Sequence, residues 1–408
     1  MSLQFLSDKE SLPSQSHTAP IVSVSWISSS SSSQGVILSG DCKGKVKAFD
    51  AQSALSYRDL PNAHSNAVHC ITTNATGSAA LSNAIDGTIA LWDLTPFVKD
   101  ETANKDEAEA VEVEAVSTEP TLLPLPVEDA SNLLLGTIDS LTAHSTPKEK
   151  LSEAWKTALH PSAPLFASVG AGAIVSLHST SSSSFGETLD IATLPPSLEK
   201  QSDLFGLSLA FHPSGSLLAV GTNTGRVLLY ALSSLDSAPH LIHVSTYSDH
   251  ASPVRALSFL PSLLLVGSDD RTITIHDVKT ILSPEQSSYL QPNAEGRIGA
   301  TVASLTGHKG WVFDIAAPAL STDVFASVAA DKSTKFWDLT SATKNTPVWN
   351  GGEAQMVRAF AFQPPTATGS QTGGAAVEAG QGMTSSMTRF VTASEDGKLR
   401  WYRGAGLG

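Results

Sequence analysis

Residues 63–94 read AHSNAVHCITTNATGSAALSNAIDGTIALWDL, and their order of residue types decides the fold. After His64 come alternating apolar residues, then the tight-turn pair Asp86-Gly87, then Trp92-Asp93. Alternation with period two, interrupted by turn residues, is the pattern of short antiparallel strands. The segment therefore reads as strand, turn, strand, tight turn, strand.

The same grammar returns in GHKGWVFDIAAPALSTDVFASVAADKSTKFWDL (307–339), with His308, Asp331 and Trp337-Asp338. It returns again in DHASPVRALSFLPSLLLVGSDDRTITIHDV (249–278), with His250, Asp270 and His276-Asp277. Four weaker copies follow once that frame is set. The first ends in SGDCKGKVKAFD, with Phe49-Asp50 at the aromatic-Asp pair and Lys43 where the turn Asp should sit. The third places Leu177-His178 at the pair and Ala171 at the turn; the fourth has Tyr230-Ala231 and Thr224. The seventh keeps Asp396 and Trp401, with Glu353 at the histidine position. The strand-end residues then fall at 49, 92, 177, 230, 276, 337 and 401. The one long gap, between 92 and 177, contracts to a single unit once an acidic segment is set aside. Units of roughly 40–45 residues with four strands are propeller blades. The expectation is an all-β fold, one seven-bladed β-propeller over residues 1–408, with residues near Leu3–Leu6 supplying the outer strand of the last blade.

Three insertions break the period. Val98–Ala130 carries ten acidic residues against Lys99 and Lys105, a net charge of −8, and sits between the third and fourth strands of blade two. Ser283–Gly296 sits at the same place in blade five, and 364–387 between the first two strands of blade seven. Ser28–Ser33 reads as a loop of blade one. Their Ser, Gly, Pro, Ala and Glu content buries little apolar surface, so each is expected to be disordered and dispensable for folding. All three long insertions leave from one face of the ring, and the face that carries the His loops and Asp turns stays clear.

Composition limits the function. Of the 408 residues 41% are hydrophobic and 16% charged, enough for a packed core. The net charge of −14 opposes direct binding to nucleic acid, which needs clustered Lys and Arg. The N-terminal residues MSLQFLSDKE lack a basic start with an apolar run, and no stretch approaches the ~18 apolar residues of a span, so a soluble intracellular chain is expected. The two cysteines, Cys42 and Cys70, lie inside apolar repeat segments without a metal-ligand spacing, and packing is their expected role.

His64, Ser82 and Asp86 beside Trp92, and His308, Ser327 and Asp331 beside Trp337, hold the residue types of a Ser-His-Asp triad. Their recurrence in blade after blade reads as architecture instead: a hydrogen-bonded chain from Trp through Ser and His to Asp that satisfies buried polar groups. No catalytic residue, metal site or cofactor is expected. The candidate protein-binding residues stand on the clear face, near the start of each blade's first strand: Trp155, Phe205, Arg255, Trp311 and Arg358, with Asp269 and Glu395 on the same rim. Aromatic residues and Arg are the side chains that most often dominate interfaces, although Trp and Phe also fill interblade space.

The Trp-Asp pairs with their upstream histidines resemble the WD-repeat family. LRWYRGAG (399–406), HKGWV (308–312), Trp155, LLAVGTNTGRV in blade four and the blade-seven insertion are similar to the WD-repeat subunits of superkiller (Ski) complexes. That resemblance implies a cytoplasmic partner of a tetratricopeptide scaffold and an RNA helicase that feed messenger RNA to the exosome for 3′-to-5′ decay. It also implies a nuclear role in meiotic recombination, binding the double-strand-break protein. A subunit of a Paf-type transcription-elongation complex is the main alternative, and an enzyme or a small-molecule site in the central channel a more distant one. The acidic insertion departs from the family pattern.

Overall fold

Strand alternation of the kind in residues 63–94 is realised as seven antiparallel sheets in the computed structural model, which describes residues 4–28, 34–58, 60–98, 122–139, 154–195, 204–233, 239–282, 301–319, 321–341, 346–365 and 389–405. Blade two shows the pattern: Val68–Thr73, Ala79–Ala84, Thr88–Asp93 and Leu134–Asp139 pair in that order from the axis outward. The first strands of consecutive blades touch all the way round, blade seven against blade one included. The ring is closed.

Each blade has two apolar faces, so the core is divided into seven clusters, one between each adjacent pair of blades. Second strands are covered on both faces. Val36–Asp41, Leu165–Gly170 and Leu217–Thr222 are buried along their whole length, which is why they read as continuous apolar or small-residue runs.

Closure uses the N-terminal strand. Phe5–Glu10, slightly beyond the expected Leu3–Leu6, pairs antiparallel with Leu399–Gly404, from Phe5 opposite Gly404 to Glu10 opposite Arg400. Two interactions fix it. Phe5 is buried among Phe336, Trp349 and Phe390, with ring centroids 4.5–5.2 Å apart. At the other end Glu10 meets Arg400 at 3.1 Å and also pairs with Lys398.

Blade one departs from the expected four strands. It has three, Ile21–Ile27, Val36–Asp41 and Val46–Asp50, and its outer position holds only bridges at Ser56 and Tyr57. Beside Tyr57 lies Leu123, in parallel pairing, with Arg58 N–H donating to the Leu123 carbonyl and Leu123 N–H to that of Ser56, 2.9 and 3.0 Å. Leu123 belongs to the acidic insertion. Of that segment 99–121 lie outside the described residues, but Leu122–Ala130 does not conform to a free loop: Leu125 and Val127 pack on the cluster between blades one and two. The physical reason is the incomplete outer edge of blade one, whose unpaired backbone groups need partners. The insertions at 283–296 and 366–387 lie outside the described residues; their described ends join the strands expected.

A chain shortened within 101–118 is expected to unfold at the same urea midpoint as the intact one. Extending the deletion through Ala130 removes Leu123, Leu125 and Val127 and should lower stability by roughly 2–3 kcal/mol. Equal midpoints for the two deletions would count against the strapping role.

Candidate functional site

Two sets of polar groups come together on the face formed by the His loops and Asp turns. The first pins the blades. In blade six Trp337 Nε1 donates to Ser327 Oγ (2.8 Å), Ser327 Oγ meets His308 Nε2 (2.7 Å), and His308 Nδ1 reaches Asp331 Oδ2 (3.1 Å). With the indole and the carboxylate fixing the two ends, every donor runs one way, so the imidazole is neutral with its proton on Nδ1. Asp331 also accepts from Lys309 N–H (2.7 Å) and from Ser333, and these bonds hold Lys332 at φ 65°, a left-handed conformation that blade five gives to Arg271 and blades one, two, four and seven give to glycine.

Blade two differs from the expected chain. His64 Nε2 meets Ser82 Oγ at 2.6 Å, and Ser82 accepts from Trp92 Nε1 at 2.7 Å. His64 Nδ1, however, bonds Thr88 Oγ1 (2.6 Å), and it is Thr88 that donates to Asp86 (2.6 Å). Asp86 is spent on Ser65 and Thr88. Blade five moves the hydroxyl: Thr274 of the third strand lies 2.8 Å from His250 Nε2 and 2.9 Å from His276 Nε2, while His250 Nδ1 reaches Asp270 at 2.8 Å. Val266, opposite Thr274, occupies the place of Ser327.

Blade one has a network that the repeat pattern does not reveal. Lys43 occupies the turn position, yet Asp41, two residues earlier, lies 2.9 Å from His17 Nδ1, and Ser39 lies 2.8 Å from His17 Nε2. The signal was available: His17 precedes Asp41 by 24 residues, close to the 23 between His308 and Asp331.

Register corrects the sequence frame in two blades. Trp337 pairs with Phe325, and its counterparts by register are His178, opposite Phe166, and Tyr402, opposite Phe390. The expected Leu177 and Trp401 are one residue off, and in a strand a one-residue slip turns a side chain to the other face. Trp401 faces blade one, against Phe49. Tyr402 donates to Glu353 (3.2 Å), which also receives Thr392, Ser394 and Arg400 and replaces the histidine with a buried carboxylate.

The second set forms the mouth of the central channel. In all seven blades the pairing of the first strand slips at its second residue, a β-bulge that re-aims that side chain. The bulged residues are Val22, His69, Trp155, Leu207, Arg255, Phe313 and Arg358, and all line one cavity of about 430 Å³ on the axis. Three expected binding residues, Trp155, Arg255 and Arg358, thus stand in one ring. Arg255 Nε donates to Asp269 (2.6 Å) and its guanidinium lies over Trp311 (5.6 Å). Arg358 donates through Nε to Glu395 (2.8 Å) and lies over Phe313 (4.2 Å). Phe205 packs edge-on against Trp155 at 5.1 Å. Trp311 stands 51% exposed at the rim. His69 and Phe313 were missed, because the bulge that aligns them with Trp155 and Arg255 has no residue signature.

Burial pushes the His64 imidazole down to about 4, against a smaller upward pull from Asp86. His308 is held down by burial too, with the Asp331 bond opposing. Burial favours the acid form of Asp86, but the bonds from Ser65 and Thr88 together outweigh it and hold the carboxyl at about 2. Asp331 is depressed in the same way, through His308, Ser333 and Lys309. Among the described residues no group of three metal-ligating side chains converges, and no helix is long and apolar enough to cross a membrane.

The chain carries WD40 repeats: the family model of the WD domain, G-beta repeat, matches residues 57–93, 242–277 and 299–338, which are the three clear copies. Similar proteins include echinoderm microtubule-associated protein-like 2 of Mus musculus, 24% identical over 74% of this chain and 42% of its own length. The 77 kDa echinoderm microtubule-associated protein of Strongylocentrotus purpuratus is 24% identical over 74% of this chain and 40% of its own. A WD repeat-containing protein 55 homolog of Aedes aegypti is 35% identical over 21% of this chain and 18% of its own. The chain thus spans about two fifths of the microtubule-associated relatives.

Two outcomes follow from the networks. Asp331→Ala strips His308 and Lys309 of an acceptor and should cost roughly 2–3 kcal/mol in chemical denaturation, whereas Asp86→Ala should cost about 1, since His64 retains Thr88. A larger loss for Asp86→Ala would contradict the assignment. For pH, the unfolded His64 side chain takes its proton near 6.5 and the folded one near 4. The unfolded state therefore binds more protons in that window, and stability falls as pH drops from 6.5 to 4. The loss from this residue is of order 3 kcal/mol, and the slope of unfolding free energy against pH should flatten in His64→Gln.

Proposed function

We propose that this chain is a non-catalytic scaffold that docks a short segment of a partner protein across the channel mouth. One observation carries the reading: four of the seven bulges deliver Trp155, Phe313, Arg255 and Arg358 to one rim, and Trp311 lies exposed beside Arg255. Clustered Trp and Arg over a concave centre are the usual composition of an interface hot spot. The described strand ends that flank the long insertions lie on the opposite face.

The resemblance at Leu399–Gly406, His308–Val312 and Trp155 favours a Ski-type assembly, with a tetratricopeptide subunit and an RNA helicase as partners in cytoplasmic messenger RNA decay, and a nuclear role in meiotic recombination beside it. A meiotic double-strand-break protein is a further partner in that reading. A Paf-type elongation complex is the second candidate, and the microtubule association named for the relatives a third. The propeller itself does not choose among them, because one fold serves many functions. With a net charge of −14 the chain acts on RNA through its partners.

Affinity purification of the tagged chain, with mass spectrometry of what accompanies it, separates the assemblies. Trp311→Ala should weaken capture of the direct partner about tenfold or more while leaving the melting temperature unchanged, because this indole is largely outside the core. Undiminished capture by Trp311→Ala and by Trp155→Ala would show that the partner binds elsewhere.

A further inference from the structure

The channel holds charge below the rim, at Lys156 and Asp314, as well as the two rim guanidinium groups. Lys156 follows Trp155 on the first strand of blade three, and Asp314 follows Phe313 on that of blade six; both line the 430 Å³ cavity together with Arg255, Arg358 and His69. No ion pair within 4.0 Å joins Lys156 to Asp314 among the described residues. Asp314 instead accepts from Phe360 N–H (3.0 Å) and Ile315 N–H (2.9 Å). Arg255 gives its Nε to Asp269 at the rim, and Arg358 its Nε and one terminal nitrogen to Glu395, so each guanidinium keeps N–H groups that no described protein atom accepts. Three cations from three blades therefore share one cavity: Asp314 is the one carboxylate among its lining residues, and Asp269 and Glu395 balance the two guanidinium groups from the rim while leaving N–H groups open to a ligand.

We propose that the channel is a binding site for a compact oxyanion, the phosphate or carboxylate groups of a small molecule, held between Lys156, Arg255 and Arg358. The chemistry suits it. Arg presents N–H pairs that match two oxygens of one anion, and Lys adds a point charge. Low-dielectric walls strengthen both. His69 bears the mark of the same field: desolvation in the channel, then Lys156, Arg255 and Arg358, hold its imidazole down to about 4, so it is neutral at physiological pH and able to donate one hydrogen bond. The inference goes beyond the scaffold reading and needs no partner protein.

Isothermal titration calorimetry on the full chain at low ionic strength tests it, with sodium pyrophosphate and sodium citrate as probes and glycerol as the uncharged control. Saturable one-to-one binding of pyrophosphate or citrate is expected, and the better of the two probes identifies the phosphate or carboxylate source. Lys156→Met and Arg358→Gln should each weaken that binding about tenfold or more, with circular dichroism unchanged. Should Lys156→Met fail to fold, Arg255→Gln gives the same reading from another blade. Absence of saturable heat with both anions overturns the site, as does binding that these folded variants leave unaltered. Calorimetry uses the chain alone with no partner present, so failure of the anion site and failure of the scaffold reading are read from different experiments.

Discussion

A blade is a small twisted sheet that is apolar on both faces, and it has no stable existence until a neighbour covers each of them. Every cluster in this core belongs to two blades at once, so none can form in a lone sheet. The ring must therefore close, and it closes through the pairing of Phe5–Glu10 with Leu399–Gly404. The seam is reinforced at both ends, by the Phe5 aromatic nest and by Glu10 with Arg400. The axial channel and its rim exist because that pairing is made.

Within the ring, polar groups do two kinds of work. The His-centred chains occupy the joint between each outer strand and the next blade, and they tolerate substitution as long as every donor finds an acceptor. Blade five moves its hydroxyl to the neighbouring strand, blade one moves its carboxylate, and blade seven exchanges imidazole for carboxylate with Arg400 as counterion. What is preserved is satisfaction of buried groups, not the identity of any one residue. The inner-strand bulges do the opposite: a constant backbone device displays variable side chains, from Val22 to Arg358, so function can change without the fold changing.

Much of this was legible in the residues. Period-two alternation, Asp-Gly turns and Trp-Asp pairs give blade number and order, and breaks in the spacing mark where the insertions interrupt them. The candidate residues Trp155, Arg255 and Arg358 meet at one rim because each stands second in its first strand. What was hidden depends on long-range geometry. Leu177 and Leu399–Tyr402 offer apolar residues on both faces, so alternation alone could not choose between Leu177 and His178, or between Trp401 and Tyr402. Leu123 lies in a stretch of acidic and Pro-rich composition, and its pairing follows from the missing outer strand of blade one, which no local pattern announces. The Lys156–Asp314 relation spans opposite blades and is invisible along the chain.

The closing strand also sets an order of events during synthesis. Ser11 and Leu399, which meet just beyond the seam, are 388 residues apart. At ~5–20 residues per second the first strand waits roughly 20–80 s for the segment it will pair with. Throughout that interval Phe5 and the open edge of the growing array face solvent, and interblade faces already made lack their last neighbour. Contacts so distant in sequence are slow to form and leave apolar edges open to other chains. A propeller sealed in this way acquires its full protection against aggregation only once Leu399–Gly404 has left the ribosome and met the waiting strand.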